Sequence, residues 1–105
     1  MTPQVDENLA EFLRRFDVAI KTAEEARTLV RPGRDSWQLE YYDLLITNLK
    51  GYRQSVVEGR LGRVSRGEVQ PGTGFGMGMW LGEWCENDEV LGACSAVENY
   101  FRYEF

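Results

Sequence analysis

Glu83, Glu86 and Glu89 recur three residues apart, a spacing that lines carboxylates along one helical face. Two carboxyl groups held close together could act as general acid and base on a glycosidic bond. That chemistry requires one of them to be raised in pKa by apolar surroundings. Nothing in the sequence marks any of the three for burial, so a solvated acidic face is the simpler account. The run Gly72-Thr73-Gly74-Phe75-Gly76-Met77-Gly78-Met79 offers backbone amides that could approach a phosphate. No Lys-Ser or Lys-Thr pair follows it, no strand is expected before it, and its spacing misses the dinucleotide fingerprint. It reads as a structural loop.

The chain contains no histidine. Cysteine and serine nucleophiles normally rely on one as base, so Cys85 and Cys94 are expected as free thiols. Nine residues apart and without histidine, they would make a zinc site only with unusual ligands. Asn87-Asp88-Glu89 is too short for a calcium loop of about twelve residues. Lysine and carboxylate mechanisms survive these exclusions. The expectation is nevertheless a protein with no catalytic residue, metal or cofactor.

Charge is sorted along the sequence. From Glu83 to Phe105, six carboxylates (Glu83, Glu86, Asp88, Glu89, Glu98 and Glu104) face Arg102 alone. Upstream, Arg60, Arg63 and Arg66 face only Glu68 between Gly59 and Gly82. The expected fate of these three arginines is internal pairing with the acidic C-terminal helix. Twelve Lys and Arg against seventeen Asp and Glu, with a pI near 4.7, argue against general nucleic-acid binding. The same balance argues against a basic membrane-surface helix. No apolar run approaches the roughly 20 residues of a membrane span, and the first residues lack the character of a secretory signal. A cytoplasmic location is expected.

The elements that must position these groups are helical. Val5, Leu9, Phe12, Phe16, Ala19, Ala23, Ala26 and Val30 step alternately by four and three, an unbroken heptad seam. The spacing predicts a helix over about 3–31, with Thr2 as cap, Pro3 in the first turn, and Glu11–Arg15 and Asp17–Lys21 as pairs on its wet side. Arg31-Pro32-Gly33 ends it. A second helix is expected over about 35–59, opened by an Asp35–Gln38 capping box. Its stripe is Tyr41, Leu45, Leu49, Tyr52 and Val56, with Trp37, Tyr42, Leu44 and Val57 beside it. Tyr41, Tyr42 and Tyr52 are expected in the core, and Gly51 at a close helix contact. Eight of the eleven glycines fall in 59–82. An ordered loop over about 60–86 is expected to fold back over the helix pair, with a short helical turn around Met77 to Trp84. A last helix over about 88–103 is capped by Asn87 or Asp88.

The expected fold class is all-α, in one domain spanning 1–105: a long antiparallel helical hairpin, a glycine-rich crossover and a shorter C-terminal third helix. The expected function is that of a small acidic inhibitor, of immunity-protein or antitoxin type and bacterial or phage origin. It would neutralise a basic, nuclease-like toxin by direct binding. Glu83, Glu86, Asp88 and Glu89 would steer the encounter, with Trp84 as anchor and Trp80 beside it. One alternative is a structural or adaptor module, homodimeric through the helix-one seam. Another is a small-ligand or enzyme domain using the glycine-rich loop.

Overall fold

Asp6 opens the first helix. Its carboxylate accepts from the Leu9 amide at 3.0 Å, and α1 runs Glu7–Thr28. The computed structural model describes residues 6–105. Thr2 and Pro3, expected at the helix start, and Val5 of the seam lie outside the described residues. The remainder of the seam does what its spacing requires. Phe12, Phe16, Ala19, Ala23 and Ala26 are buried, flanked by partly buried Leu9, Leu13, Ile20 and Val30.

The second helix, α2, runs Trp37–Val57. Gly33 takes the left-handed turn between the helices at φ +96°. No Asp35–Gln38 capping box forms: Ser36 occupies the cap position, its hydroxyl donating back to the Gly33 carbonyl and not capping a helix amide, and only the Asp35 backbone oxygen meets Gln38. α1 and α2 are antiparallel. Arg27 pairs with Asp43, and Arg53 with Asp17, at opposite ends of the contact. Arg53 therefore replaces the expected Lys21 partner, because a residue across the helix interface reaches Asp17. Glu11–Arg15 forms as expected, at 2.9 Å.

After α2 the chain makes a single 3-10 turn, Val64–Arg66, then a short helix, α3, Met77–Trp84, and a last helix, α4, Asp88–Tyr103. Asn87 caps α4 through its side chain, accepting from Val90 at 3.1 Å. α4 is antiparallel to α1: Tyr100 donates to Asn8, and Arg15 donates to the Ala96 carbonyl while lying over the Tyr100 ring. The fold is all-α, with four α-helices and no strand among the described residues.

α1 is the central helix, packed against both α2 and α4. The two outer helices are joined by aromatic rings carried on the glycine-rich strap. Phe75 is stacked between Tyr52 of α2 and Phe101 of α4, with centroids at 4.4 and 4.5 Å. Trp84, at the far end of α3, meets Tyr41 and Tyr42 of α2. The strap is anchored by Glu98, a buried carboxylate on α4. It accepts from the Phe75 amide at 2.9 Å and the Met77 amide at 2.8 Å. Gly74 lies so close that an added Cβ would collide with Glu98 and Arg102. The Gly72 amide bonds to the Arg102 carbonyl, and Ser65 to that of Phe105. A stretch with little secondary structure of its own thus takes part of its backbone partners from α4 and the residues that follow it.

This packing makes two substitutions informative. Glu98→Ala leaves two amides without their acceptor and should lower unfolding free energy by about 2–4 kcal/mol, read by chemical denaturation. Gly51, expected at a close contact, is exposed, and an added Cβ there would meet only open space, because the residue points away from α1. Gly51→Ala should therefore stabilise the protein by about 0.5–1 kcal/mol, and a lower midpoint would contradict this.

Candidate functional site

The acidic candidates occupy the junction of α3 and α4. Glu83 is on the last turn of α3, and Cys85 then takes an extended conformation that ends the helix. Glu86 lies in the connecting turn, and Asp88 and Glu89 begin α4. Glu83, Glu86 and Glu89 therefore do not share one helical face, because the backbone breaks between them. All four acids are exposed, and none forms an ion pair among the described residues. Asp88 and Glu89 also favour α4 by placing negative charge at its N-terminus.

The arginines expected to neutralise this region lie elsewhere. Arg63 forms a two-pronged pair with Asp6 at 2.8 and 3.2 Å, and its guanidinium covers the Phe105 ring at 4.3 Å. Arg66 approaches the same carboxylate, and Arg60 pairs with Glu58. The strap begins beside the N-terminal end of α1, so Arg63 and Arg66 meet that end, and the acids of the α3–α4 junction are left outward. The Arg63 hydrogen bond, followed by that from the Leu9 amide, holds the Asp6 carboxyl below its ordinary range.

Trp84 is not a surface anchor. It is only 7% exposed, enclosed by Tyr41, Tyr42 and Trp80. Trp80 is half-buried. The accessible aromatics are instead on α2. Trp37 is 46% and Tyr41 39% exposed, edge to face at 5.6 Å, and Tyr41 lies 6.1 Å from Trp80. Of the three tyrosines expected in the core, Tyr41, Tyr42 and Tyr52, only Tyr42 is fully enclosed. A sequence signal for this face exists. Tyr42, Leu45, Leu49 and Val56 already supply the inward stripe, so Trp37, Tyr41 and Leu44, spaced by four and three, form a second stripe that the hairpin does not need.

A cleft of about 330 Å³ opens at the same end, lined by residues that include Arg31, Asp35, Gln38, Tyr42, Glu86 and Asn87. Beneath it, the Tyr42 hydroxyl lies 3.9 Å from the Cys85 sulfur. Burial, reinforced by Cys85, pushes the Tyr42 phenol up to about 12. Burial likewise pushes the Cys94 thiol up to about 12. Both cysteines are free and buried, so neither is presented as a nucleophile. The glycine-rich loop offers no open phosphate cradle at its centre, since Glu98 already occupies the Phe75 and Met77 amides. No group of three or more potential metal ligands occurs among the described residues, and no described helix is long and apolar enough to cross a membrane.

No protein-family model matches the chain, and neither a curated protein nor a solved structure matches it.

Tyr42 gives this region a pH dependence of defined sign. The folded state holds the phenolic proton more tightly than the unfolded chain, whose tyrosine titrates near 10. The stabilisation is therefore complete below pH 10 and is lost as pH rises towards about 12. The denaturation midpoint should fall across that window, and Tyr42→Phe should flatten the fall. An identical profile for the variant would show that Tyr42 is not its source.

Proposed function

We propose that this chain is a small acidic protein-binding inhibitor, of immunity-protein or antitoxin type, that neutralises a basic, nuclease-like toxin by occupying its surface. The role requires no reaction chemistry. The observation that supports it is the set of exposed acids, Glu83, Glu86, Asp88 and Glu89, none of which forms an ion pair among the described residues. The continuous segment from Gly67 to Phe101 contains no Lys or Arg. Unpaired charges of one sign grouped at a helix junction attract an oppositely charged protein over a distance of about a Debye length, roughly 8–10 Å at physiological salt. They also speed a correctly oriented encounter.

The burial of Trp84 changes the expected division of labour. Acids of the α3–α4 junction steer, while short-range contact falls to rings that are accessible, Trp80 and the aromatic face of α2. The alternative of a structural homodimer joined through the α1 seam has less support. That seam is enclosed within a single chain, with Phe12, Phe16, Ala19 and Ala23 fully buried.

The candidate partner is a basic protein encoded next to this one, and its absence from every genomic neighbourhood of the gene would weigh against the reading. Association measured by stopped flow should slow at least about tenfold at low salt when Glu86, Asp88 and Glu89 are changed together to lysine. The difference should narrow as salt is raised. A rate indifferent to those reversals and to salt rejects electrostatic steering by this surface.

A further inference from the structure

Trp37, Tyr41 and Trp80 form a run of rings along the outer side of α2 and α3, joined by contacts of 5.6 and 6.1 Å. Leu44, half exposed, extends it by one turn of α2. Glu40 lies one helical turn from both Trp37 and Leu44, and Glu83 one turn from Trp80. Both glutamates are exposed and make no ion pair among the described residues. The segments that carry these rings, 35–49 and 67–101, contain no Lys or Arg.

Elsewhere the fold supplies its aromatic rings with guanidinium groups internally. Arg15 covers Tyr100 at 4.6 Å, and Arg63 covers Phe105 at 4.3 Å. No such partner reaches Trp37, Tyr41 or Trp80 among the described residues. A ring face left uncovered is an attractive site for a cation, and more so where carboxylates stand beside it.

We propose that this aromatic face receives arginine side chains of the basic protein partner, their guanidinium planes stacked on Trp37, Tyr41 and Trp80 and their charge met by Glu40 and Glu83. The proposal rests on the protein-binding reading above and names the chemistry of the contact. Charge complementarity selects this occupant. A second copy of the chain would set the carboxylates of this face against the same carboxylates, and a nucleic acid would be repelled by them. Arginine is favoured over lysine because its planar, weakly hydrated head stacks on rings and donates in the same plane to a neighbouring carboxylate.

The test uses the full chain and a short synthetic peptide carrying several arginines. Its counterparts replace each arginine with lysine or with citrulline, the uncharged isostere. Binding is read by tryptophan fluorescence and calorimetry. The arginine peptide should bind saturably, with the citrulline peptide weaker by at least about tenfold and the lysine peptide intermediate. Trp37→Ala should weaken the arginine peptide by roughly tenfold, while Trp37→Phe, which keeps a ring, should retain most of the affinity. Glu40→Lys combined with Glu83→Lys should abolish binding with an unchanged circular dichroism spectrum. The proposal is overturned if the arginine peptide does not bind saturably, or if Trp37→Ala, still folded, binds it as wild type does. Those results leave the inhibitor reading standing, because that reading is decided separately by association rates and by charge reversal at Glu86, Asp88 and Glu89.

Discussion

The contact on which the rest of this structure depends is the grip of Glu98 on the glycine-rich strap. α2 and α4 flank α1, and the strap spans the gap between them. Phe75 fills one end of that gap as the middle ring of a three-ring stack, and Trp84 closes the other end against α2. Phe75 sits among glycines that confer little conformational preference, so its placement has to come from outside the strap. Glu98 supplies it through two charge-assisted bonds to backbone amides, at Phe75 itself and at the start of α3.

That arrangement determines where charge is available. The buried carboxylate of the C-terminal helix is used for structure, and its neighbour Arg102 lies against it at 3.5 Å. Arg63 and Arg66 of the strap are drawn to Asp6 because their segment leaves α2 beside the start of α1. The charges of Arg63 and Arg66 are therefore met at the start of α1. The α3–α4 junction at the other end keeps its acids exposed, next to aromatic rings that α3 holds against α2. A steering region and a contact region thus adjoin because the same short helix builds both.

Regular elements are readable wherever burial follows a period. The α1 seam and the capped α4 helix appear in the residue pattern because one face of each helix must be apolar. Even the short α3 is marked by the apolar density of Met77 to Trp84 among glycines. Local spacing says less about contacts across elements. Asp17 pairs with Arg53 rather than Lys21, and Gly51 faces open space, because both outcomes depend on which neighbouring helix lies opposite. Glu83, Glu86 and Glu89, whose spacing would fit one helical face, are separated at Cys85, whose extended backbone ends α3 before α4 begins.

The amino-acid order by itself determined an all-helical body, its central apolar seam and an acidic C-terminal region, since periodicity and net charge are properties of the chain. Only the tertiary structure decided which charges are used up and which rings remain accessible. Trp84 and Trp80 lie one helical turn apart on the same short helix, yet one is enclosed and the other half open. Tyr41 and Tyr42 are adjacent, yet they point to different environments. Burial of a side chain depends on what packs over it, and here that cover comes from a strap whose path is set by a carboxylate more than twenty residues away in sequence.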